Sequence, residues 1–80
     1  MRLDKFLKIS RLIKRRTLAK EVTEAGRVKI NEKKAKPSSE VKQGDQLEIG
    51  FGAKQIKVEI LEIKENVRAE EAKNLYKVIE

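Results

Sequence analysis

The sequence predicts an α+β domain in which two N-terminal helices pack on a small, mostly antiparallel sheet. Apolar residues recur at helical spacing as far as Ala25, and from Arg27 they alternate with polar ones. Gly26 falls where the period changes, as a helix-ending glycine does. Eighty residues leave room for one domain, 1–80, and a chain of this size buries only about 60% of its unfolded surface, so the core must be small.

Leu3, Phe6 and Leu7 stand at i, i+3 and i+4, which gives a first helix one apolar face and turns Lys5 and Lys8 elsewhere on the cylinder. Asp4 lies where a first-turn acid or N-cap would stand; its other reading is to orient a neighbouring arginine. Ser10-Arg11 interrupts the pattern before Leu12 and Ile13. Leu18, Val22 and Ala25, at i, i+4 and i+7, then predict a second helix from Arg15 to Glu24.

Val28 and Ile30 alternate with Arg27, Lys29 and Asn31, as in a half-buried strand. Asn31-Glu32-Lys33-Lys34 reads as a polar turn. Ala35 to Ser39 reads as an irregular edge, because Pro37 cannot donate to a ladder and biases Lys36 towards extended geometry. After the turn at Gln43-Gly44-Asp45, two strands carry Leu47, Ile49 and Phe51, then Ile56, Val58 and Ile60, with Gly50 and Gly52 bracketing Phe51. Periodicity places Phe6 and Phe51 in the core. Leu61 and Ile63 shift the alternation by one, which marks a bulge or the strand's end. Arg68 to Leu75, rich in Ala and Glu, suits a short helix, and Tyr76, Val78 and Ile79 are placed to dock on the sheet.

Charged residues make up 41% of the chain, and the net charge of +7 is unevenly distributed. Residues 1–36 hold 13 Lys and Arg against 4 Asp and Glu, whereas residues 37–80 hold 7 against 9. Such a basic half suits nucleic acid, an anionic membrane or an acidic protein surface. Lys14-Arg15-Arg16 stands at the entry to the second helix, joined by Arg2, Lys5, Lys8, Arg11 and Lys20. The helix N-terminus adds partial positive charge and free N–H groups, and arginine can take phosphate oxygens two at a time. Arg27, Lys29, Lys33, Lys34 and Lys36 extend this basic face or simply solvate it. Three aromatic residues are too few for stacking on single strands, so the pattern points to folded RNA read through shape and phosphate. A helix-turn-helix for duplex DNA is the rival, but such proteins usually dimerise and no dimer surface is evident; a monomer is expected.

The chain has no cysteine and no histidine, which removes the thiolate, the imidazole base and the usual zinc ligands. Ser38 and Ser39 have no base nearby in sequence, Glu70-Glu71 do not face each other on a helix, and Gly50-Phe51-Gly52 lacks the ending of a phosphate loop. No catalytic residue, metal or cofactor is assigned. No apolar run approaches the roughly 18 residues of a membrane span, and the apolar faces are needed for the core, so a soluble cytoplasmic protein is expected with no membrane partner.

Taken in order, Arg2-Leu3-Asp4-Lys5-Phe6-Leu7, Ser10-Arg11, Arg15-Arg16-Thr17-Leu18-Ala19, Gly26-Arg27-Val28-Lys29-Ile30-Asn31, Lys36-Pro37-Ser38 and Gly44-Asp45 resemble the S-four RNA-binding domain, also termed the alpha-L fold, over about residues 1–50. The full length and the tail from Ala69 to Tyr76 are similar to a subgroup of stand-alone ribosome-associated quality-control factors, related to the small heat-shock S-four protein. The resemblance implies binding to the large ribosomal subunit after a stalled ribosome splits, with contacts to rRNA and peptidyl-tRNA and support for an RqcH-type factor that adds alanine tails. It carries over Arg2 and Arg16 as principal contacts, with Asp4, Lys5, Arg11, Lys14, Arg15 and Lys20 around them. Glu32 departs from the family, many of whose members have glycine there, and bears on the turn. Three further readings stand beside this one. They are a general structured-RNA or tRNA-binding module, a fragment of an RNA-modifying enzyme, and a protein adaptor recruited through the acidic half.

Overall fold

The computed structural model describes residues 1–80. Helix α1 spans Leu3–Ile9 and α2 spans Arg16–Glu24; β1 (Val28–Ile30), β2 (Lys33–Lys34), β3 (Gln46–Phe51) and β4 (Lys54–Ile60) follow, then a 3₁₀ helix (Ala69–Leu75) and β5 (Tyr76–Val78). All strand pairs are antiparallel, in the order β2-β1-β3-β4-β5. No helix is long and apolar enough to cross a membrane.

Helix α1 buries Leu3, Phe6 and Leu7 completely, on the face their spacing predicts. Its first N–H groups, which no helical carbonyl can reach, are satisfied by the loop that returns over them. Leu3 N–H donates to the Ser39 carbonyl at 2.8 Å and Asp4 N–H to that of Pro37 at 3.1 Å. The helix ends in the buried Ser10, whose hydroxyl donates to the Leu7 carbonyl at 3.3 Å and accepts from Leu12 N–H at 3.4 Å.

In α2 the buried residues are Ala19 and Thr23, with Val22 half-buried, so the expected stripe of Leu18, Val22 and Ala25 is rotated by about one residue. Leu18 is 48% exposed. The face nearest α1 takes small side chains, and Thr23 becomes apolar in effect because its hydroxyl donates to the Ala19 carbonyl at 2.7 Å. The helix begins one residue later than expected, with Arg15 at the N-cap. Gly26 follows at φ +78°.

The register sets Leu47 between Ile30 and Val58, and Ile49 between Val28 and Ile56. Val28, Leu47, Ile49, Val58 and Ile60 are fully buried against the helices, with Ile13, Val41 and Leu75 closing the core. Only Asn31 and Glu32 form the turn after β1; Lys33 and Lys34, expected in that turn, pair back on Ile30 and Lys29 as β2. Both turn residues have positive φ, +49° and +70°, the type I′ pattern that suits the twist of a two-residue hairpin. The turn therefore keeps its geometry with Glu32 where glycine fits best. Asn31 also ties this hairpin to β3: its Nδ2 donates to Asp45 Oδ1 at 3.1 Å, and its Oδ1 accepts from Gln46 N–H at 2.9 Å.

Between β3 and β4 the turn is Gly52-Ala53, while Gly50 lies within the strand. Phe51, expected in the core, is 42% exposed, because it ends β3 at the hairpin tip, where residues 51–55 are all exposed. Strand β4 stops at Ile60, where the alternation shifts, and the tail helix is 3₁₀ rather than α, burying Ala72 and Leu75 before β5 pairs with β4.

Candidate nucleic-acid interface

The basic face is organised around one buried carboxylate. Asp4 projects from the first turn of α1 with its side chain 4% exposed, and it holds two arginines that are themselves half in solvent, Arg2 at 49% and Arg16 at 47%. Arg2 Nε and one terminal nitrogen donate to the two Asp4 oxygens at 3.2 Å each, a bidentate fork. Arg16, from the start of α2, donates to Asp4 Oδ1 at 3.4 Å. Arg2 Nε and one terminal nitrogen of each guanidinium are thus engaged, and the remaining N–H edges are left for solvent or an anion. Both readings of Asp4 hold in part: it is the first-turn acid of α1, though it makes no cap bond, and it orients Arg2 and Arg16.

Arg2 also lines an open cleft of about 640 Å³ with Lys20 from α2, Lys34 from β2, and Lys36 and Ser38 from the following loop. One carboxylate, Glu24, faces it. The Lys34 side chain lies across Gly26, where a Cβ would stand 3.8 Å from its terminal atoms. Lys20, Lys34 and Lys36 make no ion pair, and with Arg2 they set four cations against one carboxylate in the cleft. In sequence, Lys34 and Lys36 are among the cations that either extend the basic face or solvate it. What they share with Lys20 appears only when the loop after β2 folds back beside α2.

The remaining predicted residues divide. Lys8, Arg11 and Lys14 line a second cleft, of about 200 Å³, on the turn between the helices. Lys5 lies in an ion pair with Glu65, whose carboxyl is held below its ordinary range by the hydrogen bond and charge of that ammonium. Arg15 is the exposed N-cap of α2, offers no oxygen to cap the helix, and adds positive charge where the first-turn N–H groups lie. Arg27 is exposed but joins neither cleft; it is next to Gly50 of β3, on the side of β1 opposite buried Val28. Sequence alone held no sign of Glu65, which is 60 residues from Lys5.

Arg11 has φ +62°, a left-handed conformation that costs a residue with a Cβ roughly 1–2 kcal/mol relative to right-handed geometry. Glycine would avoid that cost, and the position instead carries a cation.

Cations outnumber carboxylates four to one in the first cleft and three to one in the second, donor sets that suit phosphate. A paired-helix module on an antiparallel sheet, with an aspartate-organised arginine face, is the class of protein this geometry defines. The chain belongs to the S4 domain family, whose profile matches residues 1–47. Its relatives extend over the whole length. It is 57% identical over 79 residues to the "RQC P-site tRNA stabilizing factor" of Bacillus subtilis, covering 99% of this chain and 92% of that one. It is 63% identical over 78 residues to the protein of the same name from Halalkalibacterium halodurans, covering 98% and 89%. The fold also resembles the trimeric Heat Shock Protein 15 of Vibrio cholerae, with a TM-score of 0.89 at 38% identity, covering 98% of this chain and 80% of that one.

Proposed function

We propose that the protein is a non-catalytic RNA-binding factor of ribosome-associated quality control, which binds the large ribosomal subunit and steadies the peptidyl-tRNA it carries. The observation that carries this reading is the Asp4-centred pair of arginines beside a cleft of unpaired lysines. Full-length likeness to proteins named for stabilising a P-site tRNA supports the tRNA as one partner. The rRNA is the second partner, and the protein works as a monomer in the cytoplasm beside an RqcH-type factor that adds alanine tails.

Arg2 and Arg16 are the principal contacts, Asp4 is a positioning residue, and Lys20 lies on the cleft next to Arg2. Lys5, Lys8, Arg11, Lys14 and Arg15 extend the surface along the helix pair, and Arg27 contributes at its margin. Binding energy comes mainly from phosphate neutralisation with release of counterions, which makes it salt-dependent. Sedimentation with purified large subunits tests the reading. Subunits loaded with peptidyl-tRNA are expected to retain more protein than empty ones, and Arg16→Ala to lower retention on both. Equal retention on loaded and empty subunits would count against the quality-control role.

A further inference from the structure

We propose that the larger cleft takes one unpaired guanosine of the bound RNA, with Glu24 reading the base while Arg2, Lys20, Lys34 and Lys36 hold its phosphates. This inference rests on the RNA-binding reading and deepens it, adding a base-reading residue to a surface otherwise described through phosphate. The cleft holds about 640 Å³, within the roughly 300–1,000 Å³ of sites that enclose a small molecule and more than a phosphate alone needs. Its lining is not only cationic. Ala25, Ala35 and Pro37 offer apolar contact to the face of a base.

Glu24 is the residue that a phosphate site does not explain. It is the one carboxylate among the four cations of the cleft, yet it takes part in no ion pair. It is also the last residue of α2, where the helix end carries partial negative charge and the last turn holds no basic side chain. A carboxylate there opposes both the helix and an incoming phosphate, so neither folding nor phosphate binding favours it. A guanine does. Its N1–H and N2 amino group are parallel donors that match the two oxygens of a carboxylate, and its O6 and N7 accept from lysine or arginine. Uracil offers one donor between two acceptors, and adenine and cytosine each set a single amino donor beside an acceptor nitrogen, so none of them uses both ends of the cleft. The guanine must be unpaired, because in a duplex those donors are already bonded to cytosine.

The test is fluorescence anisotropy with one labelled hairpin stem, either fully paired or carrying a single bulged guanosine, inosine or uridine, with thermal unfolding read in parallel. The parent is expected to prefer the guanosine bulge over uridine about five- to tenfold, the low end for a bidentate pair because the cleft is open to water. Inosine, which lacks the N2 amino group, should fall between them. Glu24→Gln should lose that preference while binding the paired stem as tightly as the parent or tighter, since it removes a negative charge from a cationic cleft. Its melting temperature should hold or rise, because Glu24 opposes the α2 dipole, whereas a structural role would lower it. Equal affinity of the parent for all three bulges, or Glu24→Gln tightening every RNA alike, overturns the guanosine site. Arg16→Ala, outside this cleft, separates the two ideas. It should weaken every RNA and leave the guanosine preference intact. Weakening there with no guanosine preference in the parent overturns only the guanosine site, whereas a preference that persists with an indifferent Arg16 supports that site and contradicts the Arg2–Arg16 surface.

Discussion

Asp4→Asn tests whether the buried carboxylate positions its two arginines or merely opposes RNA with its charge. Two effects compete. Removing the charge relieves repulsion of a phosphate that sits beyond a guanidinium, about 7 Å away. At the effective dielectric of about 20 that suits a pair at a protein surface this is worth about 2.4 kcal/mol, and screening over a Debye length of about 8 Å reduces it to about 1 kcal/mol. Against this, Arg2 and Arg16 lose a bidentate and a single charge-assisted bond and must be immobilised on binding. Each such side chain costs about 0.5–1.5 kcal/mol to fix, so orientation outweighs repulsion. The two together cost about 2 kcal/mol against a repulsion of about 1, so Asp4→Asn should weaken RNA binding by about 1 kcal/mol, roughly fivefold. Both arginines are about half exposed, so the loss of folding stability is discounted for solvent to about 1 kcal/mol, a fall in melting temperature of roughly 4–8 °C. The assay is anisotropy at about 0.15 M salt, repeated with Arg16→Ala and the double variant. The Arg16→Ala penalty should shrink when Asp4→Asn is already present. Tighter binding by Asp4→Asn, or strict additivity with Arg16→Ala, would refute the positioning role.

Further predictions follow from the same geometry. Glu32→Gly relieves a left-handed residue and should stabilise by about 0.5–1 kcal/mol after allowing for glycine's greater unfolded freedom; a lowered melting temperature would contradict the type I′ account. Asn31→Ala removes the bonds to Asp45 and Gln46 and should cost about 1–3 kcal/mol in denaturant unfolding. Lys20→Ala should lower the salt slope of RNA binding by about 0.7–0.9, whereas Arg27→Ala, outside both clefts, should change it less. Because Lys5 depresses the Glu65 carboxyl, their pair adds stability above the unfolded carboxyl's pKa and loses it as pH falls through the lower folded value. Glu65→Gln should remove that acid-side contribution from a pH–melting profile.

Most of the architecture was legible because hydrophobic period and turn chemistry agreed locally. Leu3, Phe6 and Leu7 could bury only on one helical face, and Gly26 stood where the period changed from helix to strand. The misplacements were at positions whose burial depends on distant elements. Leu18 continued a plausible stripe, but close packing between the helices selected Ala19 and Thr23, and Phe51 continued an alternating strand into an exposed hairpin tip. Lys33 and Lys34 looked like turn residues because a two-residue edge strand with exposed charges leaves almost no pattern.

The site was legible as a composition, not as a geometry. The run from Lys14 to Arg16 announced a basic face. Its division into two clefts, and its organisation by Asp4, depend on how the loop after β2 and the tail return to the helices. Glu65 could not be connected to Lys5 from spacing, since no local period spans the intervening strands.

On the proposed reading, this helix pair holds structured RNA through phosphates gathered at Arg2 and Arg16. Its most direct test is the affinity of the parent and the Arg2→Ala/Arg16→Ala double variant for one RNA hairpin over a range of salt. The parent slope should be steep, about −4 to −5 if six phosphates are met, and become shallower by about 1.4–1.8 in the double variant as affinity falls. A parent that binds without salt dependence, or a double variant that keeps the parent's slope and affinity, would contradict it.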